Sequence, residues 1–145
     1  MITSTQNSKV KLVRALMGKR KDRQLHGAFV VEGVRLMEEA LASGWAPQFV
    51  LFSDGLSARG SLTVQSFAGQ GVEVEEVAPH VMESMTGTRS PQGILAVLPL
   101  RALPLPADLD YVLIVDQVRD PGNLGTILRT AAAAGVQALI LTPGT

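Results

Sequence analysis

The run from Asp116 to Ala131 constrains this chain more than any other stretch. An apolar run, Tyr111 to Val115, precedes it and has the length and composition of a buried strand. A short helix then opens. Pro121 fits its first turn, Gly135 fits its stop, and Leu124, Ile127, Leu128 and Ala131 fall on one apolar face. Gly125 and Arg129, one turn apart, fall on a neighbouring face, where a position without a side chain leaves a polyanion room to approach a guanidinium. Asn123 sits among the first backbone N–H groups of the helix, which have no partners inside it. A strand, a glycine-containing turn and a helix N-terminus form a natural place for phosphate chemistry.

Several known turns share that outline, and the residues exclude three of them. A Walker loop needs Gly-Lys-Ser/Thr, and no lysine follows here. A dinucleotide fingerprint needs Gly-x-Gly-x-x-Gly, whereas the chain has only Gly122-x-x-Gly125. The KH Gly-x-x-Gly loop joins two helices, and here a strand comes first. The stretch instead resembles the first signature motif of the SpoU (TrmH-like) RNA ribose 2′-O-methyltransferases. Asp116, Val118, Asp120, Pro121, Asn123, Gly125, Arg129, Thr130, Ala131 and Gly135 match it in order and spacing. Phe29-Val30-Val31-Glu32-Gly33-Val34-Arg35 is similar to the segment that enters the family's substrate-binding domain. Ser90-Pro91-Gln92-Gly93-Ile94-Leu95-Ala96-Val97 is similar to the segment that closes it.

The resemblance implies an α/β protein in two parts. Residues 1–98 would be an RNA-binding α/β sandwich resembling kink-turn-binding ribosomal proteins. Residues 99–108 carry three prolines in their first eight positions and read as an extended linker. Residues 109–145 would begin a SPOUT domain, whose parallel sheet ends in a trefoil knot. The family's second and third motifs supply most of the S-adenosylmethionine pocket and have no counterpart before Thr145. The chain therefore reads as a fragment, inactive alone, with no cofactor-binding residue of its own. The strand–helix–strand after the linker should be partly mobile or pair with a second chain. The implied parent is a homodimeric, S-adenosylmethionine-dependent enzyme acting on RNA, ribosomal RNA rather than transfer RNA. The rival reading is an RNA-binding module without catalysis.

The implied catalytic residues are Asn123 and Arg129. Asn123 is also a good helix N-cap, and Arg129, without the motif, reads as an exposed arginine pairing with Asp120 or Asp116. A guanidinium is a poor proton acceptor, so a catalytic Arg129 would act mainly by holding a phosphate and stabilising an alkoxide.

Net charge is zero over 13 basic and 13 acidic residues, but eight of the cations lie in the first 35 positions. They are Lys9, Lys11, Arg14, Lys19, Arg20, Lys21, Arg23 and Arg35, opposed there by Asp22 and Glu32. Such a basic end on a neutral chain is the footprint of a polyanion, here RNA; the alternative is a solvated face. The absence of cysteine excludes disulfides and thiol catalysis, and two scattered histidines argue against zinc. No signal-peptide pattern and no membrane-length apolar run appear, so the expected location is cytoplasmic.

The remaining pattern predicts a first helix capped by Asn7 or Ser8, with Val10, Val13 and Met17 inward, and an exposed basic turn over 19–26. Strands follow at 28–31, 48–52, 72–75 and 94–98, with helices at 34–42, 62–68 and 79–85 between them. Residues 53–61 read as a Gly/Ser-rich loop and the best candidate for disorder. Met37, Met82, Met85 and Trp45 read as packing residues.

Overall fold

A computed structural model describes residues 1–86, 92–102 and 104–145. It divides into two compact units, Met1–Arg101 and Ala102–Thr145. The start of the Pro-Gln-Gly segment, residues 90 and 91, lies outside the described residues, as does position 103 of the linker stretch.

The first unit runs α1 (Ser8–Gly18), α2 (Arg20–His26), β1 (Ala28–Glu32), α3 (Val34–Ala42), β2 (Phe49–Phe52), α4 (Ala58–Gly69), β3 (Glu73–Glu76), α5 (Pro79–Met85) and β4 (Ile94–Pro99). Its sheet has the order β1-β4-β2-β3, with β4 antiparallel to both neighbours and β2 parallel to β3. Strand period two explains the layers. Leu95 and Val97 of β4 join Phe49 and Leu51 of β2 in one core, under Val10, Val13 and Leu16 of α1 and Val81, Met82 and Met85 of α5. Ile94, Ala96, Leu98 and Val50 face the other way, against Met37 and Ala40 of α3 and Val64 and Phe67 of α4. The result is a helix–sheet–helix sandwich. β4 is buried on both faces, which is why its sequence is continuously apolar rather than alternating.

Several local expectations are corrected. Residues 19–26 hold a helix, α2, rather than an exposed turn. Asp22 lies in its first turn, Arg23 and His26 in its last, and Gly27 closes it in the left-handed conformation. The stripe of α1 ends on Leu16, which is fully buried, while Met17 is 41% exposed. Leu16 packs with Val10 and Val13 into the core shared with α5. Part of the stretch read as disordered belongs to α4. Ser57 caps that helix by accepting from the Gly60 amide at 3.1 Å, and an Arg59–Glu38 ion pair ties its first turn to α3. The first unit also extends into the 99–108 stretch: the Leu100 amide donates to the Gly27 carbonyl at 2.7 Å, and the Arg101 guanidinium lies over the Trp45 ring at 5.3 Å. Trp45 packs as expected, edge-on to Phe29, with Nε1 donating to the Pro99 carbonyl.

The two N-terminal motif segments meet in space. Gly33 caps α3 with φ 95° and ψ 150°, a conformation open to glycine alone. Gln92 Oε1 accepts from the Val34 amide at 3.0 Å and would lie 2.7 Å from a Cβ at position 33. Gly33→Ala should therefore lower stability by about 2–3 kcal/mol, from strain and a displaced cap. Urea denaturation followed by circular dichroism measures this; an unchanged midpoint would mean that the turn adapts freely.

The second unit is β5 (Val112–Val115), α6 (Pro121–Ala133) and β6 (Ala138–Leu141), with β5 and β6 parallel. The Gln137 side chain ties its base by accepting from the Asp110 and Tyr111 amides at 2.7 and 3.0 Å. The predicted apolar stripe of α6 is only partly covered. Ala131 is buried, whereas Leu128 is 44% exposed, and Tyr111, Ile114, Ile140 and Leu141 are exposed on or beside the strands. A strand–helix–strand has too few layers to bury both faces of its sheet.

Candidate RNA interface and catalytic turn

The first turn of α6 is built by Asp120. Its Oδ1 accepts from the Asn123 amide at 2.7 Å, and its carbonyl accepts from Leu124. Asp120, not Asn123, is thus the N-cap; a capping side chain reaches N–H groups two or three residues on, which places Asn123 inside the helix. The Asn123 side chain is exposed and forms no hydrogen bond among the described residues. One and a half turns later, Arg129 Nη2 donates to Thr126 Oγ1 at 3.2 Å. Its Nη1 lies 3.4 Å from where a Cβ of residue 125 would sit. Gly125 therefore makes room for the arginine's own guanidinium, rather than leaving an empty approach beside it. Among the described residues Arg129 forms no ion pair, so the expected pairing with Asp120 or Asp116 is not made. Asp116 is instead held by the hydroxyl of Thr142, at the end of the adjacent parallel strand.

This turn stands at the carboxyl ends of two parallel strands, where open α/β sheets receive ligands. Between β5 and α6 lies an open cavity of about 510 Å³, lined by Leu113, Val115, Ile127, Ala131 and other mainly apolar side chains. Its polar neighbours are Asp116, Thr126 and Thr130.

The basic residues are not one patch. Lys9 Nζ is held by Glu73 and Glu75 at 2.6 and 2.7 Å and lies over the Phe49 ring. Burial opposes its charge, but hydrogen bonds and the field of the two carboxylates outweigh that and raise its pKa above the ordinary lysine value. Arg23 is also occupied, donating to the Leu16 carbonyl at the end of α1 at 2.8 Å. Arg35 opens α3, on the opposite side of the sheet from α1. The cations that remain together and exposed are Lys11, Arg14, Lys19, Arg20 and Lys21, on α1 and its junction with α2. Sequence alone did not separate these because pairing depends on β3, more than 60 residues away.

Fold and turn together define a two-unit α/β protein, in which a mixed-sheet sandwich precedes a parallel-strand unit with a ligand-type helix turn. Residues 7–96 match the MRM3-like substrate binding domain, and residues 110–145 match the SpoU rRNA Methylase family. The chain belongs to the SpoU family, with an MRM3-like substrate-binding domain as its first unit. It is similar to an uncharacterized tRNA/rRNA methyltransferase of Synechocystis, at 39% identity covering 97% of this chain and 52% of that protein. It is 37% identical to the 23S rRNA (guanosine(2553)-2′-O)-methyltransferase RlmP of Bacillus subtilis, covering 99% of this chain and 55% of the relative. Among solved structures, the AdoMet-bound rRNA methyltransferase from Sinorhizobium meliloti superposes with a TM-score of 0.76 at 33% identity. That match covers 97% of this chain and 53% of the other. The chain spans about half the length of the curated relatives it matches.

Proposed function

We propose that the whole protein is an RNA ribose 2′-O-methyltransferase, and that this chain carries its RNA-binding unit and the catalytic turn. The observation that carries the reading is the turn itself: a capped helix at the ends of parallel strands that presents Asn123 and, beyond it, a guanidinium with no carboxylate partner among the described residues. S-adenosylmethionine supplies the methyl group, as the AdoMet-bound relative suggests.

The residues of this chain have separate tasks. Lys11, Arg14, Lys19, Arg20 and Lys21 attract and hold the phosphate backbone. Arg129 binds a phosphate beside the reacting ribose and stabilises negative charge as the 2′-hydroxyl loses its proton, which a group with so high a pKa does better than it accepts protons. Asn123, neutral and able both to donate and to accept, orients the ribose. Ribosomal RNA is the substrate class favoured over transfer RNA, following the names of the relatives. The working unit is a homodimer acting in the cytoplasm; among the described residues no helix is long and apolar enough to cross a membrane. Transfer of radiolabelled methyl from S-adenosylmethionine to 23S rRNA by the whole protein, with the label located on a ribose after nuclease digestion, tests the reading. Label on a base, or none with wild-type protein that binds its RNA, would favour the module without catalysis.

A further inference from the structure

Gln117 is the one non-glycine among the described residues with backbone in the left-handed region, at φ 54°. A side chain longer than asparagine's is strained there, whereas glycine is not. Such strain persists only where the surrounding structure imposes it, and it clusters at active sites and ligand clamps. Here the flanking contacts of Asp116 and Asp120 hold the backbone, and the side chain itself takes no part in them. The Gln117 side chain is exposed and forms no hydrogen bond, ion pair or ring contact among the described residues.

Its neighbours show what kind of ligand would use it. Asp116 on one side accepts the Thr142 hydroxyl, and Asp120 on the other caps α6, so both carboxylates are engaged within the protein. Among the described residues, the groups along the turn that form no hydrogen bond or ion pair are the Gln117 amide, the Arg119 guanidinium and the Asn123 amide. Two amides and a cation at an open surface suit a ribose–phosphate strand with accessible base edges: the cation takes phosphate, and the amides take hydroxyls or base atoms.

We propose that Gln117 is a substrate-contact residue, whose amide hydrogen-bonds an RNA nucleotide brought to this turn. This rests on the reading of the protein as an RNA methyltransferase. Being neutral, Gln117 contributes to affinity without releasing counterions, so its loss leaves the salt dependence of binding unchanged.

The test compares wild-type chain, Gln117→Ala and Gln117→Gly for binding to a 23S rRNA transcript, and for hydrogen exchange of the β5 and β6 amides. Alanine removes the side chain and keeps the strain; glycine removes both. Both variants should bind about five- to tenfold more weakly, the size of one or two lost hydrogen bonds, with the same slope of log K against log salt. Only glycine should slow exchange, by about two- to fivefold. If both variants bind as wild type does, the proposal falls and the RNA reading stands. If affinity follows exchange, rising in glycine and falling in alanine, Gln117 is a turn residue only and the proposal also falls. If the wild-type chain does not bind the transcript, the RNA reading fails, and the proposal with it.

Discussion

Arg129→Ala in the whole protein should lower the rate of methyl transfer by about 100- to 1,000-fold, the scale of losing one preorganised donor to a developing oxyanion. RNA affinity should change by no more than about threefold, because a single phosphate contact is lost from a larger set. The fold has little stake in the residue: Arg129 is exposed, and its one hydrogen bond is to Thr126 on the same helix. Arg129→Lys should recover only part of the rate, since an ammonium keeps the charge but loses the planar fork and its place over Gly125. Single-turnover kinetics with saturating RNA, beside a filter-binding isotherm, separates the two effects. If binding and turnover fall together, Arg129 is a docking residue and the alkoxide role is wrong.

Reversing Arg14, Lys19, Arg20 and Lys21 to Glu should weaken RNA binding by more than about 100-fold at moderate salt, and flatten the plot of log K against log salt by several units. These four are exposed and form no ion pair among the described residues, so their removal costs the fold little. Two members of the sequence-derived basic set serve as controls. Lys9→Gln should leave affinity unchanged, because that ammonium is already neutralised by Glu73 and Glu75. Arg23→Gln should act through stability, by freeing the Leu16 carbonyl at the end of α1. A loss of affinity in Lys9→Gln as large as in the fourfold variant would mean that charge is read over the whole N-terminal end rather than at α1 and α2.

The sequence was most legible where a residue's role depends on its near neighbours. The α/β class, the helix turn after β5 and most strands follow from periodicity, capping chemistry and motif spacing, each a matter of a few successive residues. Near neighbours also mislead: the density of cations hid a helix over 20–26, whose left-handed stop at Gly27 was present in the sequence. Asn123 was eligible as a cap by type, but geometry gave the cap to Asp120, three residues earlier, because the capping oxygen must accept from an amide two or three residues further on.

The chain's order of residues by itself determined that a capped helix would follow the strand at 112–115, and that cations would gather near the N-terminus. Only the tertiary structure decided which of those cations are free. Pairing Lys9 with β3, placing Arg35 across the sheet and fitting Gln92 under Gly33 all bring together residues far apart in the chain. Such contacts arise from how strands are ordered in the sheet, β1-β4-β2-β3, and no local pattern encodes that order. The positive φ of Gln117 is of the same kind: its residue type disfavours the conformation, and Asp116 bound to Thr142 on one side with the Asp120 cap on the other holds it there.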